Sequence, residues 1–261
     1  MTTIGYIGNL MQVPEYLFHD KDLSLAGVIC EAGKLSDDLL TFAAVRDVPL
    51  YEASGPADLI AAAKKIEADF FVMCAFGLKI PEEFIEKTAV FNIHPSALPA
   101  YRGRHPLFWA TVRGDKTLGI TLHKVAAKID AGEIISQRTA PYYLWMSEQD
   151  IFDELLRKTP ELLHDLKLFL SGASKGMSNS GGSYDKPAQE IDYTIDLKKD
   201  SPAIIFNKVR AQKRYRGAKL VLEGRTLWVK GVRMTRAGTA GDDCIPYTDK
   251  LSLRLLDYAQ E

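Results

Sequence analysis

Cysteine is scarce in this chain: three residues, Cys30, Cys74 and Cys244, in 261. They are odd in number and scattered, and no Cys/His spacing matches a metal site, so no metal is expected. Cys30 and Cys74 lie in apolar, strand-like runs, where a thiol behaves as a small buried hydrophobe. A basic excess is also missing. Lys and Arg total 33 against 34 Asp and Glu, which argues against general nucleic-acid binding. No apolar run reaches the roughly 20 residues that a membrane-spanning helix needs. The first residues, Met1-Thr2-Thr3-Ile4-Gly5-Tyr6, have neither the basic region nor the long apolar core of a signal peptide, so a cytoplasmic protein is expected. The length allows one large domain or one and a half.

What is present alternates. Thr3–Asn9 reads as a first strand ending in a Gly-Asn turn. Its Gly5-x-x-Gly8 lacks the third glycine of a dinucleotide loop, so no nicotinamide or flavin site is expected. Leu23–Cys30 is a second strand, and Leu35, Leu39, Leu40 and Ala43 recur at helical spacing. Val48–Tyr51 is a short third strand, and Pro56 opens a helix in the first turn, where proline is tolerated. Asp69–Ala75 is continuously apolar, as in a strand buried on both faces. Pro81 opens another short helix. This alternation predicts an α/β fold with a doubly wound, mostly parallel sheet and right-handed crossovers.

Further on, Pro106–Arg113 reads as a helix with Phe108 and Trp109 in the core. Gly119–Val125 alternates as a strand, in which His123 reads as a packed residue. Glu133–Pro141 is another strand. Apolar residues from Phe152 to Phe169 recur at helical spacing, and Pro160 must kink or split that helix; His164 falls on its solvent side. Ser171–Ser183 is rich in Gly and Ser, the best boundary candidate. The expected domains are therefore 1–180 and a small, mostly β subdomain, 181–261. The latter has a helix near 202–210, a hairpin turning at Glu223-Gly224-Arg225 and a last strand over 251–255.

Chemistry concentrates in one stretch, Phe91-Asn92-Ile93-His94-Pro95-Ser96-Ala97-Leu98-Pro99-Ala100-Tyr101-Arg102-Gly103. Ala89–Phe91 begins a buried strand. Residues i and i+2 of a strand share a face, so Asn92 and His94 project together. Pro95 ends sheet pairing because it has no N–H to give. An amide and an imidazole thus meet at the carboxyl end of a strand, where open α/β sheets bind ligands.

The string Asn-x-His-Pro-Ser-x-Leu-Pro-x-Tyr-Arg-Gly resembles the active-site signature of formyltransferases that use 10-formyltetrahydrofolate. The Asp-x-Gly turn of that family has its counterpart in Asp130-Ala131-Gly132. The resemblance implies Asn92, His94 and Asp130 as the catalytic group and 10-formyltetrahydrofolate as co-substrate. It implies that Phe76, Gly77, Leu78 and Ile80 of the 76–81 loop, with Ile129, hold the pterin. Ile191-Asp192-Tyr193, Asn207-x-x-Arg210-Ala211 and Tyr215-x-Gly217-Ala218 are similar to segments of the family's sugar-modifying members. Arg214 and Arg216 stand where proline is usual there. A nucleotide-linked amino sugar is the implied acceptor, GDP-perosamine or a dTDP-linked 3- or 4-amino-6-deoxyglucose, for N-formylated surface polysaccharide. Methionyl-transfer-RNA is the alternative, and a catalytically silent folate- or nucleotide-binding module is the reading from another class. Candidate substrate contacts are Asn9, Tyr101, Arg102, Arg104, Arg210 and Tyr215, and a homodimer is expected.

Formyl transfer to an amine is acyl transfer. Its tetrahedral intermediate carries an oxyanion that needs preorganised donors, a role for Asn92 and His94. Asp130 suits the acceptance of the amine's proton and the orientation of His94, and the folate nitrogen leaves with a proton from His94.

Overall fold

The computed structural model describes residues 1–241 and 243–260. In chain order the elements are β1 (Thr2–Gly8), α1 (Gln12–Phe18), β2 (Leu23–Glu31), α2 (Asp37–Arg46), β3 (Leu50–Ala53), α3 (Pro56–Ile66), β4 (Phe70–Cys74) and α4 (Glu82–Ile85). Then come β5 (Ala89–His94), β6 (Arg102–Gly103), α5 (Pro106–Arg113), β7 (Thr117–Lys124), β8 (Ile134–Pro141), α6 (Glu148–Leu156) and α7 (Thr159–Leu170). The remainder is β9 (Tyr184–Asp185), α8 (Glu190–Tyr193), β10 (Thr194–Ile195), α9 (Pro202–Gln212), β11 (Ala218–Leu222), β12 (Arg225–Arg236), β13 (Cys244–Pro246) and β14 (Leu251–Gln260).

Seven strands form one sheet in the order β3-β2-β1-β4-β5-β7-β8. The pairs from β3 through β5 are parallel, as the alternation of strands and helices requires. β7 breaks the pattern and pairs antiparallel with β5, setting Asn92 opposite His123 and His94 opposite Thr121. Order along the sheet changes direction at β1 and β4, so strand ends β1, β4 and β5 surround a switch point of the kind where such sheets bind ligands.

Local chemistry explains most elements. Ser36 caps α2 by accepting from Leu39 N–H. Pro56 occupies the first turn of α3, and Pro160 stands at the start of α7, so the long apolar period is split into α6 and α7. At α6, Ser147 N–H and Oγ both bond Asp150 Oδ2 at 2.7 Å. α1 is an element that the periodicity did not reveal. It is seven residues long with Pro14 inside its first turn, too short for a helical period to stand out.

The chain divides into two compact units, and the division is interleaved instead of a single cut near 180. One unit comprises Met1–Arg102, Gly119–Arg138 and Leu155–Gly182; the other comprises Gly103–Leu118, Thr139–Glu154 and the chain from Ser183 onward. Packing in the second unit gives the reason: α5, early in sequence, rests on the late helix α9. The second unit contains a five-stranded sheet, β10-β11-β12-β14-β13. Ile205 and Val209 of α9 cover it, packing with Leu220, Val229, Leu253 and Leu255. β14 runs five residues past the expected strand, and β13 pairs on its outer side.

In the first unit Phe71 is 1% exposed and meets Phe84 edge to face with ring centroids 5.5 Å apart. Its ring also fills the space above Gly5, where an added Cβ would lie 2.1 Å from Phe71 Cε1. Phe71→Ala is expected to lower unfolding free energy by about 3–5 kcal/mol, measured by urea denaturation; a loss under about 1 kcal/mol would show that the site repacks.

Candidate active site

The carboxyl end of β5 places Asn92 and His94 on one face, both nearly buried at 8% and 5% exposure. The loop that follows is pinned from β7 and β8. Thr121 Oγ1 donates to Ser96 O at 2.6 Å and accepts Leu98 N–H, while Gln137 Nε2 donates to Leu98 O at 2.8 Å. The loop therefore returns with Tyr101 O 2.9 Å from His94 Nε2. A carbonyl only accepts, so Nε2 carries the proton, and Nδ1 is the nitrogen that faces Asp130 Oδ2, at 3.6 Å.

Asp130 Oδ1 lies 3.4 Å from Asn92 Nδ2 and 3.4 Å from His123 Nε2. His123 Nδ1 is 3.0 Å from Lys124 O and donates to it; its Nε2 then accepts from Asn92 Nδ2 at 3.2 Å. His123 is thus a member of the site, held opposite Asn92 by the antiparallel register of β5 and β7. The Thr121-x-His123 alternation on β7 was the available signal, but a sequence does not say which strand is the neighbour.

Asp130 reaches the cluster from a strained turn. Its φ is +50°, left-handed for a non-glycine residue, a conformation costing roughly 1–2 kcal/mol. Three anchors fix it. Arg102 Nε and Asn179 Nδ2 each donate to Asp130 O at 3.0 Å, and Asn179 Nδ2 also reaches Gly132 O at 2.7 Å. Gly132 lies against Lys124 O so closely that an added Cβ would sit 1.8 Å from that oxygen. That approach is the reason for glycine in the Asp-x-Gly turn.

Several expected substrate contacts have other employment. Arg102 is 6% exposed, and beyond Asp130 O its guanidinium donates to Gly181 O at 2.6 Å and to Asn179 O and Oδ1 at 2.8 Å. It clamps two loops. Asn9 Nδ2 donates to Ala75 O and its Oδ1 accepts Glu31 N–H, both at 2.8 Å, so its amide ties strand ends together. Tyr101, with φ +59°, contributes its carbonyl. The remaining three belong to the second unit. Arg104 is exposed there, and Tyr215 is 51% exposed and hydrogen-bonds Glu148. Arg210 is 8% exposed, donating to Asn207 Oδ1 at 3.0 Å and Tyr143 O at 3.1 Å, with its guanidinium 4.0 Å above the Tyr142 ring.

In the 76–81 loop, Gly77 N–H donates to Glu31 Oε2 at 2.9 Å, and an added Cβ would meet that oxygen at 2.6 Å. Ile80 is a core side chain, packed with Phe84 and Val90. Phe76 and Leu78 are half-buried and Ile129 is 51% exposed. Phe76, Leu78 and Ile129 thus each keep part of their apolar surface open, whereas Ile80 is in the core.

Burial pushes the His94 pKa down; Asp130 and the Tyr101 carbonyl pull it back, and the net direction is downward. At rest His94 is a neutral imidazole whose unprotonated Nδ1 looks at a carboxylate. A proton arriving there makes an imidazolium that Asp130 stabilises, so the arrangement is that of a proton carrier.

The sequence profile described as formyl transferase matches residues 38–165. The methionyl-tRNA formyltransferase of Lactobacillus gasseri is 30% identical over 190 residues, covering 69% of this chain and 59% of that protein. The chain thus spans about three fifths of the length of such relatives. HypX from Aquifex aeolicus, solved with tetrahydrofolic acid, has a TM-score of 0.72 at 19% identity over 97% of this chain and 43% of its own. The sugar 3-N-formyltransferase WlaRD, solved with dTDP and 5-N-formyl-tetrahydrofolate, has a TM-score of 0.72 at 18% identity over 98% of this chain and 97% of its own. These structural likenesses establish the formyltransferase α/β fold with its β-rich C-terminal part.

Two outcomes follow from the geometry. A histidine whose pKa is lower folded than unfolded gives stability that is full above its ordinary value near 6.5 and is lost as pH falls below it. Wild type should therefore lose more stability than His94→Gln between pH 7.5 and pH 5.5 in urea titrations; equal losses would contradict a buried neutral His94. Arg102→Ala should remain folded but lose turnover more than substrate affinity, because the Asp130 turn loses an anchor. Arg102→Lys should fail to rescue, since one ammonium cannot reach three loop carbonyls. Full turnover in either variant would show that the turn holds itself.

Proposed function

We propose that this chain, whose residues 38–165 match the formyl transferase family, transfers a formyl group from 10-formyltetrahydrofolate to the amino group of a nucleotide-linked amino-dideoxy sugar. The observation that carries the reading is the buried group of Asn92, His94, His123 and Asp130 at the carboxyl edge of the sheet.

In this reading the neutral amine attacks the formyl carbon, and the carbonyl oxygen becomes the oxyanion of a tetrahedral intermediate. Asn92 supplies the donor. One of its N–H bonds is held by His123, and the other points to Asp130 at a long 3.4 Å, so it turns to the developing charge at little cost. A donor of this kind contributes about 3–4 kcal/mol of barrier reduction. The nitrogen that attacked becomes positive and must lose a proton. His94 Nδ1 accepts it, beside Asp130, and passes it to the folate nitrogen as the carbon–nitrogen bond breaks. The products are the formamide and tetrahydrofolate, and atoms and charges balance. His94 Nε2 stays on Tyr101 O throughout, so oxyanion support falls mainly to Asn92 and proton transfer to His94. The pterin is assigned to the surface of Phe76, Leu78 and Ile129, next to the Asp130 turn.

Charge balance supports a small acceptor. With 33 cationic against 34 anionic side chains, the chain lacks the cationic excess through which proteins gain affinity for transfer RNA. The likeness in fold to WlaRD runs along nearly all of both chains. GDP-perosamine and dTDP-linked 3- or 4-amino-6-deoxyglucose are the candidates. Methionyl-transfer-RNA is the second reading, favoured by relatives such as that from Lactobacillus gasseri.

The test is incubation with 10-formyltetrahydrofolate and a panel of amino-sugar nucleotides, read by mass spectrometry for an added formyl group. Methionyl-transfer-RNA serves as the other arm. At least one sugar nucleotide should be formylated; product on methionyl-transfer-RNA alone would replace the proposed acceptor. Asn92→Ala and His94→Asn should each lower turnover on the order of 100-fold or more while circular dichroism shows a retained fold. Near-normal turnover in folded variants would remove the site assignment.

A further inference from the structure

The segment joining β8 to α6 displays apolar surface that the proposed reaction leaves unused. Tyr143, Leu144 and Trp145 are 48%, 66% and 78% exposed. A turn closes here, with Met146 N–H donating to Tyr143 O at 3.1 Å. It brings the side chains at positions i and i+2 together. The rings of Tyr143 and Trp145 lie in an offset parallel stack, with centroids 4.6 Å apart and planes 6° from parallel. Isolated aromatic pairs in proteins favour edge contacts or offset stacks between buried rings; here a parallel pair stands in the open, with its outer ring the more exposed.

The stack has a rigid foundation. Tyr143 O also accepts from Arg210 Nη1, and Arg210 is itself seated on the Tyr142 ring. These bonds tie the turn to the C-terminal end of α9 within the same unit. Just beyond, Lys213 and Arg214 are exposed. At the start of α6, burial pushes the Glu148 carboxyl up to about 7 against the pull of Arg214, and Ser147 holds the Asp150 carboxyl low with a smaller contribution from Lys213. Tyr215 hydrogen-bonds Glu148, whose Oε2 is buried with no hydrogen-bond partner among the described residues. A flat aromatic platform therefore adjoins two exposed cations and a buried carboxyl oxygen with bonding capacity to spare. A sugar ring alone would need the platform and no cations; an inorganic anion would need the cations and no platform. A base joined to phosphates uses both, since every nucleobase offers a flat face and phosphate oxygens pair with Lys and Arg.

We infer that the Tyr143–Trp145 stack and the adjoining Lys213 and Arg214 bind a nucleoside diphosphate, with the base on Trp145 and the phosphates on the cations. This deepens the proposed function, and rests on it for the identity of the ligand, by assigning the nucleotide half of the acceptor to Lys213, Arg214 and an aromatic pair, Tyr143 and Trp145, that no sequence motif marked.

The full chain is titrated with GDP, dTDP and UDP without folate, by calorimetry and tryptophan fluorescence. At least one nucleotide should bind saturably. Trp145→Ala should weaken it about tenfold or more, the scale of one lost stacking contact, and Arg214→Glu should weaken it comparably. The corresponding nucleoside should keep its sensitivity to Trp145→Ala and lose its sensitivity to Arg214→Glu. Both residues are exposed, so the variants should fold. Absence of saturable binding at millimolar nucleotide, or unchanged binding in both variants, overturns the inference. So does a wild-type dimer that Trp145→Ala dissociates in sedimentation while nucleotide binding stays intact, because the patch then serves self-association. Formyl transfer is assayed separately. Nucleotide binding that both variants weaken, in a chain that formylates no amino-sugar nucleotide, keeps this site and removes the acceptor reading. Wild-type formylation efficiency in Trp145→Ala does the reverse.

Discussion

Asp130 sits in a left-handed backbone conformation that its residue type only tolerates, and the rest of the site depends on holding it there. The turn itself lies outside the strands and helices. It is kept in place by Arg102 and Asn179 on its own carbonyl, by Asn179 on the carbonyl of Gly132, and by the seating of Gly132 on Lys124 O. The same Lys124 carbonyl accepts His123 Nδ1. One oxygen thus registers the turn against β7 and fixes the tautomer of the histidine that orients Asn92. A shift of the turn would carry Asp130 out of reach of His94 and Asn92 together.

The electrostatics follow from that placement. His94 is desolvated, which favours its neutral form, yet it lies between a carbonyl and a carboxylate, which favour the charged one. Desolvation wins at rest. A neutral resting imidazole keeps its capacity to take up a proton, as the proposed transfer requires. A fully exposed histidine would gain little from Asp130, whose field acts through protein here instead of water.

Much of this was legible in the sequence, and the misses have physical causes. The alternation of strands and helices specified the parallel part of the sheet, because apolar period and breaker residues are local signals. Asn92 and His94 were readable as a pair from strand period alone, and Asp130 from its resemblance in motif. His123 was not, because its role comes from pairing with β5, which is a long-range fact. Asn179 lies in a Gly/Ser-rich stretch that reads as linker, and only the fold brings it to the Asp130 turn. Arg102 was read as a candidate substrate contact, and only the fold shows its guanidinium donating to the carbonyls of Gly181 and Asn179. The single boundary near 180 gave way to interleaved units because α5 packs on α9, some hundred residues later.

The central claim is that Asp130 acts on the chemistry through His94 and not on substrate affinity. Single-turnover formyl transfer by Asp130→Asn tests it most directly, with the substrate of the wild-type reaction and with the dissociation constants of folate and acceptor measured alongside. The account predicts a chemical step slower on the order of 100-fold or more, with both dissociation constants within a few-fold of wild type. A chemical step near the wild-type rate, or a loss confined to binding, would contradict it.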